Sequence, residues 1–436
     1  MKQLAFFFVL IPVLGIVNAQ QSHITSIGQL QQANGDSDTI WPKQITGTDM
    51  YFEYLIQGKD TILRFTGKGH LSSRKAGEWY KYKATITCVE VCEGIKTVDG
   101  LASCPKLKKV TLPNGLKKIN KEAFRYDSNL RQINFPEGLD SIFGYAFYQA
   151  GSPEDSLRFP ASLSYIAGNC FLYNKFTYVE VPMKIDSFLS GASFGECHFL
   201  STVILPANLG YMPMNTFSGD TSLRQIYNLN VHPIIINEKI QRAFYRLNRS
   251  KCRLIVPTAS VELYKSTPVW KDFMIEAGGI SVGVCFNDKY KGNVYGLENR
   301  FYKKGEKVTL RAEPYNGCTF SGWKCNGQLL STANPLSFTV TKDTMIQACF
   351  DGEVAVREPL KPVSASVTIY PNPTGDMFSV RSESQVEEIV VSDLSGRVLL
   401  RTERTSHADV SALPQGLYLV RVRTEKGSCV KKLVRR

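Results

Sequence analysis

Short apolar frames ending in proline recur along the first half of this chain: Val110-Thr-Leu112-Pro113, Ile133-Asn-Phe135-Pro136, Leu157-Arg-Phe159-Pro160, Val179-Glu-Val181-Pro182 and Val203-Ile-Leu205-Pro206. In each frame the first and third side chains point the same way, which predicts a short strand with one buried face. Three residues past the prolines stand Leu116, Leu139, Leu163, Ile185 and Leu209, and three further on Ile119, Ile142, Ile166, Phe188 and Met212. A second series, Phe124, Phe147, Phe171, Phe194 and Phe217, keeps nearly constant distance from the prolines. The period is about 23 residues, and a coil of that size cannot bury its apolar side alone. Neighbouring coils must stack over one continuous core, which predicts a solenoid. Two departures are local: the coil after Pro182 has an extra residue before Phe194, and the Asn228 coil lacks its proline.

Past the repeats the pattern changes. Between about Ile280 and Asp351, Val282 to Phe286, Val308 to Ala312, Phe320 to Trp323, Phe338 to Val340 and Ile346 to Phe350 read as short strands separated by turn residues. From about Gly352 to Ser366 aromatics are scarce and Pro359 and Pro362 appear, which predicts an exposed, cleavable linker. Thereafter Phe378-Ser-Val380, Ile389-Val-Val391 and Tyr418-Leu-Val420 alternate at the density of a β-sandwich. The predicted class is therefore mainly β: a leucine-rich solenoid, a small β module and a C-terminal β-sandwich. The start, Met1-Lys2 followed by apolar Leu4 to Val17 and then Val17-Asn18-Ala19, has the zones of a secretory signal peptide, with the mature chain beginning near Gln20. The apolar run is short of the roughly 20 residues that span a bilayer. The expected division is 1–19 signal peptide, 20–60 N-terminal segment, 61–277 solenoid with caps, 278–351 β module, 352–366 linker and 367–436 C-terminal domain.

The repeat frame resembles the BspA-like leucine-rich repeat family of bacterial surface proteins, with Leu130 to Phe147 and Leu200 to Phe217 fitting its unit best and Ala123-Phe124 and Ala146-Phe147 supplying its A-F pair. Ile62 to Gly69 and Trp79 to Thr97 look like that family's entry coil, and Cys252 to Pro257 with Tyr264, Trp270 and Phe273 looks like its closing strand and helix. The β module, through Gly292-Asn-Val294-Tyr-Gly296, Tyr302 to Leu310, Gly317 to Trp323 and Ala348-Cys-Phe350, resembles the divergent internalin B-repeat family. That resemblance implies a β-grasp-like spacer or adhesive unit. Cys318 stands where the family usually has an aromatic residue. The C-terminal stretch resembles the type A sorting domain of the type IX secretion system, in Tyr370-Pro371-Asn372-Pro373, Asp393-Leu-Ser-Gly396-Arg, Leu413-Pro-Gln-Gly416-Leu-Tyr418 and a basic end. It implies export across both membranes of a Gram-negative envelope, removal of the domain by a sortase-like peptidase within the linker, and attachment to the outer-membrane surface or release.

Eleven cysteines in an exported chain leave at least one unpaired. Cys104 and Cys197 lie three residues before Leu107 and Leu200, where a buried thiol acts as a small hydrophobe. Cys318 and Cys325 flank Phe320-Ser321-Gly322-Trp323, and a turn at Ser321-Gly322 would face them across a hairpin as a disulfide. Zinc ligation lacks the required spacing and histidine partners. Trp323 reads as a core aromatic beside Phe320 rather than a sugar-stacking platform.

A net charge of +13 raises nucleic acid as a partner, but the basic residues are interleaved with acids and no nucleic-acid motif accompanies them. His23, His70, His198, His232 and His407 are scattered, no nucleophile-elbow, zincin or phosphate-loop motif occurs, and neighbouring acids such as Glu154 and Asp155 read as solvated. No cofactor is expected. Two readings follow. The first is a non-enzymatic surface protein whose solenoid binds a host or bacterial protein or glycan. The second is a secreted hydrolase or carbohydrate-active protein with the solenoid as a binding arm. The first accounts for every stretch longer than about 50 residues. Its expected interaction surface is the set of variable positions beside the strands, Lys108, Lys109, Arg131, Gln132, Glu180 and Arg224.

Overall fold

A computed structural model describes residues 40–71, 77–151, 156–186, 188, 191–238, 242–353, 367–382, 384–393, 398–403, 405–424 and 427–436. The expected signal peptide, most of the N-terminal segment, Glu154 and Asp155, and nearly all of the linker lie outside them.

The hairpin Asp49–Gln57 and Asp60–His70 opens the solenoid. Its second strand is long enough to start two parallel stacks. Ile62 to Phe65 pair with Cys88–Val91, which carries Lys109–Thr111 and then Gln132–Ile133. Gly69 and His70 pair with Ile95–Val98, which carries Lys118–Ile119, Ser141–Ile142 and Tyr165–Ile166. After a break, the first stack resumes with Ser156–Leu157 and runs through Tyr178–Glu180, Thr202–Leu205, Gln225–Asn228 and Arg253–Pro257 to Met274–Gly279. The two stacks are joined at the prolines. Each proline carbonyl accepts from the backbone N–H three residues on, Leu116 at 3.0 Å, Leu139 at 2.9 Å, Leu163 at 3.1 Å, Ile185 at 2.9 Å and Leu209 at 3.3 Å. The proline sits at a corner where its missing N–H costs no ladder bond.

The third side is a stack of turns centred on the phenylalanines. Residues two before and two after each ring often carry positive φ: Glu122 (61°) and Tyr126 (66°) around Phe124, Tyr145 (59°) and Gln149 (50°) around Phe147, Asn169 (58°) and Tyr173 (64°) around Phe171. Left-handed residues set between right-handed ones turn alternate amides to one side, so that they can all point at the next coil. Glu122, Phe124 and Tyr126 donate to the carbonyls of Gly144, Ala146 and Tyr148 at 3.1, 2.8 and 2.9 Å, and the same bonds recur coil after coil. A buried backbone group left unpaired would be costly, which is the reason for the unusual conformation.

Inside, one apolar cluster runs from Ile45 to Phe273. Its spine is a ladder of nearly parallel rings, Phe124, Phe147, Phe171, Phe194, Phe217 and Phe244, with successive centroids 5.2, 5.3, 5.6, 5.8 and 5.9 Å apart. Phe244 extends the series into the coil that lacks a proline. Phe65 and Trp79 close one end, and Trp270, Phe273 and Tyr264 the other. There Trp270 Nε1 donates to the Ile234 carbonyl at 2.7 Å and Tyr264 Oη to that of Asn230 at 2.8 Å.

Residues 280–352 fold as two small sheets over a shared core. One joins Val282–Phe286, Thr344–Gly352, Cys318–Cys325 and Gln328–Ser331, and the other joins Gly292–Tyr295, Lys307–Pro314 and Leu336–Thr339. A β-grasp clasps a helix, and no helix occurs in 278–353, so that expectation is corrected to paired sheets. The hairpin expected at Ser321-Gly322 is corrected as well: Cys318 to Cys325 form one continuous strand with a bulge between Phe320 and Gly322. Its two ends are too far apart for a disulfide, and both cysteines are free thiols. Trp323 is fully buried, its ring 4.9 Å from Phe320 and its Nε1 bonded to the Ala333 carbonyl at 2.9 Å.

The C-terminal unit has two small antiparallel sheets, one of Thr368–Tyr370, Met377–Arg381 and His407–Asp409, the other of Val398–Glu403, Val386–Ser392, Gly416–Thr424 and Gly427–Arg435. Val367, Phe378, Ile389, Val420 and Leu433 build its core. Among the described residues no helix is long and apolar enough to cross a membrane.

Candidate interaction surfaces

The outward face of a solenoid strand is made by the residues between its buried ones. In the first stack these are Lys109 and Thr111 around Val110, with Gln132 beside them in register with Lys109. With Arg131, Ile133 and Asn134 they line a shallow hollow of about 330 Å³ at the break in the stack. The structure therefore brings Lys109, Arg131 and Gln132 together, with Lys108 exposed next to them. Glu180 lies on the other side of the break, exposed and accepting from Tyr178 Oη at 2.8 Å. Arg224 is exposed too, but its guanidinium binds the carbonyls of Thr221 and Leu223 in its own coil. The six residues form one cluster and two outliers.

Most of the same face in the later coils is covered. Ile204 and Ile255 point outward yet are only 2% and 6% exposed, because the β module lies on them. Gly278, lacking a side chain, lets the Phe301 ring reach Ile255. The Arg300 guanidinium stacks 4.3 Å from the Tyr227 ring and bonds Tyr178 Oη at 3.2 Å. Nearby, Lys289 pairs with Asp186 at 3.1 Å. Lys184 is 1% exposed, with its ammonium 4.8 Å from the Tyr315 ring centre, 5.4 Å from that of Phe286, and bonded to Tyr315 Oη at 3.0 Å. Burial lowers its pKa to about 7, against the pull of Asp140, with Lys289 adding to the lowering.

Two buried carboxyls mark the turns. Asp127 and Asp220, each three residues past a ladder phenylalanine, accept the backbone N–H of Cys104 and Cys197 in the preceding coil at 2.7 and 2.8 Å. Their second oxygens have no hydrogen-bond partner among the described residues. Burial pushes both carboxyls well above the ordinary range, against the bonds they accept. Cys104 and Cys197 are buried free thiols, and burial, with Asp127 nearby, pushes Cys104 up to about 12. No group of three or more His, Cys, Asp or Glu among the described residues is placed to hold a metal ion.

In the C-terminal unit the expected sorting residues fasten its first strand to its last. Asn372 Nδ2 donates to the Lys432 carbonyl at 2.7 Å and its Oδ1 accepts from Val434 N at 2.9 Å, in the manner of a paired backbone. Pro371 and Pro373 flank it, and Tyr370 is exposed beneath the Arg381 guanidinium at 5.3 Å. Gly416 begins the strand that carries Tyr418, whose hydroxyl binds the Pro414 carbonyl. Asp393 ends the described part of its strand region, and Gly396 lies outside the described residues.

A stacked solenoid of this repeat, followed by two all-β units, defines a multi-domain leucine-rich repeat protein. The comparisons give the particulars: the chain carries a BspA type leucine rich repeat region of six copies over residues 99–245, a divergent InlB B-repeat domain over 282–353 and a secretion system C-terminal sorting domain over 368–436. The last is of the type IX kind and marks a secreted or cell-surface protein of Bacteroidetes-type bacteria. Similar solved structures include a leucine rich repeat protein of T. pallidum, at 23% identity over 40% of this chain and 78% of that one with a TM-score of 0.30. Others are leucine-rich repeat proteins from Eubacterium ventriosum, at 13% over 51% and 80% with 0.26, and Bacteroides ovatus, at 11% over 56% and 95% with 0.26. No curated protein matches.

Proposed function

We propose that this is a non-enzymatic surface protein whose solenoid is a rigid scaffold for binding a protein or glycan and whose C-terminal unit, packed against that solenoid through Arg401–Asp186 and Tyr211, directs its export. The single observation that carries the reading is the union, in one chain, of a BspA type repeat region with a secretion sorting domain. On this reading the divisions are signal peptide 1–19, solenoid 61–277, β module 278–351, linker 352–366 and sorting domain 367–436. The secretion machinery reads the sorting domain, a sortase-like peptidase cuts in the linker, and the mature protein is held at the outer-membrane surface or released. The covered strand face supports a division of labour: the module stiffens the later coils, and the uncovered early coils are left to meet a partner.

The experiment is the intact mass of the protein recovered from the surface of the producing cells. A chain starting near Gln20 and ending between Gly352 and Ser366, with or without a glycolipid adduct, supports the export route and surface placement on which the binding reading depends. A periplasmic chain that still ends at Arg436 overturns it.

A further inference from the structure

Outside the solenoid runs a second row of rings, set edge to face at 84° where the inner ladder is stacked. Tyr126, Tyr148 and Tyr173 come from three successive coils, and their rings follow one another at 5.5 and 5.7 Å, with Tyr145 5.6 Å from Tyr148. Tyr126 and Tyr173 are 42% and 41% exposed, and Tyr145 and Tyr148 are half-buried. Between residues 81 and 198 no other large apolar side chain among those described is left so exposed. The Arg125 guanidinium lies against three of the rings, 4.6 Å from Tyr126, 5.3 Å from Tyr148 and 5.6 Å from Tyr145, and pairs at 3.3 Å with Glu122, a carboxylate it shares with Lys121.

Burial in the core does not account for these tyrosines. None belongs to the core cluster. Tyr126, Tyr145 and Tyr173 also stand in left-handed backbone, where a bulky side chain is disfavoured and Asn or Gly is at ease. At the same steps other coils hold Asn169, Asn215 and Gly219, and also Glu122, Gln149, Glu196, Arg242 and Arg246, so the turn itself does not call for an aromatic ring. Aromatic residues held in strained backbone at the surface point to a job outside the fold.

We infer that this tyrosine ridge is a binding site for a neutral, extended polysaccharide, whose sugars lay their C–H faces on the rings. Tyrosine offers a large, rigid, amphipathic surface with little entropy to lose, and its hydroxyl can both donate to and accept from a sugar hydroxyl. A row of rings at the pitch of the coils suits a ligand that also repeats. A neutral one is favoured because Arg125, the cation among the rings, is engaged by Glu122 at 3.3 Å and by Tyr126 Oη at 2.8 Å, and Glu122 is itself taken up by Lys121 at 3.7 Å, which leaves no open carboxylate for a cationic ligand. Tyrosine and arginine also anchor protein interfaces, which is why a peptide probe stands beside the polysaccharides in the test.

The inference rests on the reading of the solenoid as a binding scaffold, and the test separates the two. The full chain is run by native electrophoresis through gels containing soluble glucan, mannan or xylan. Parallel titrations use their hexasaccharides and, as the aromatic-groove alternative, a polyproline decamer. The expected result is retardation by at least one polysaccharide and about tenfold or greater weakening in Tyr126→Asn/Tyr173→Asn, with melting temperature unchanged. Retardation equal in parent and variant, but lost in Lys109→Ala/Arg131→Ala, overturns the ridge while leaving the scaffold reading intact. Binding of polyproline alone, or of no probe, also overturns the ridge assignment.

Discussion

Two files of aromatic rings run along this solenoid at almost the same pitch, one inside and one outside. The phenylalanines from Phe124 to Phe244 stack at 5.2 to 5.9 Å with every ring shielded from water. The tyrosines Tyr126, Tyr148 and Tyr173 follow at 5.5 and 5.7 Å, the outer two open to solvent and Tyr148 half-buried between them. Both spacings are set by the same backbone stack, so pitch alone says nothing about purpose. Burial does. The inner file removes apolar surface from water and cements coil to coil, whereas Tyr126 and Tyr173 of the outer file leave such surface exposed in a backbone conformation that resists it. A periodic solenoid thus builds, with one set of turns, a core and a display.

The comparison can be broken first from the inside. Phe147→Ala or Phe217→Ala in the full chain should cost about 3 to 5 kcal/mol of stability by denaturant unfolding, since each empties a slot flanked by rings on both sides. A variant that unfolds with the parent would contradict the shared core.

The Lys184 cage is the next test. Its folded pKa, near 7, lies below the unfolded value of 10.5, so between those pH values the unfolded chain binds more protons and this group's contribution to stability rises with pH. Below about pH 7 its penalty is complete. Lys184→Met should therefore stabilise at pH 6, on the order of a few kcal/mol, less whatever the lost Tyr315 bond was worth. That advantage should shrink as pH climbs toward 10. A constant difference across the range would remove the caged cation from the account.

Asp127 and Asp220 predict the opposite slope. Their folded pKa values are raised, so this part of stability is lost as pH rises from about 4 through the folded value. Asp127→Asn and Asp220→Asn keep an oxygen for the Cys104 or Cys197 amide, and Asn174 already occupies the same step of its coil. Each should raise stability at pH 7, by about 1.4 kcal/mol for every unit of the shift up to that pH, and the gain should vanish near pH 3. The smallest effect is chemical: in the native, unreduced protein Cys325 should accept a thiol reagent faster than Cys104, Cys197 or Cys252, which are buried. Protection of Cys318 and Cys325 together, reversed by reductant, would restore the disulfide.

The inner file was legible because it repeats: an identical residue at a fixed step needs no knowledge of the fold. Phe244 carried the same Ala-Phe signature at Ala243 and was obscured only by the absent proline. Asp127 and Asp220 also left a sign, each standing 23 residues past a cysteine, Cys104 and Cys197. The outer file left none, because its turn positions hold Tyr126, Gln149 and Tyr173 in succession and no period emerges until the left-handed turns are seen. Likewise Ile204 and Ile255 read as surface residues until the module is placed over them, a tertiary fact with no local signal. At Cys318–Cys325 a Ser-Gly pair read as a turn became a bulge, since pairing with Thr344–Gly352 keeps the strand running past it.

Phe171 and Tyr173 are two residues apart in one turn, one in each file, and their contrast tests the division most directly. The measurement is the melting of full-length Phe171→Ala and Tyr173→Asn against the parent. The account predicts a loss of about 3 to 5 kcal/mol for the first and a change within about 0.5 kcal/mol for the second. A Tyr173→Asn protein that melts as early as Phe171→Ala would make the outer file part of the structure and leave the display without a basis.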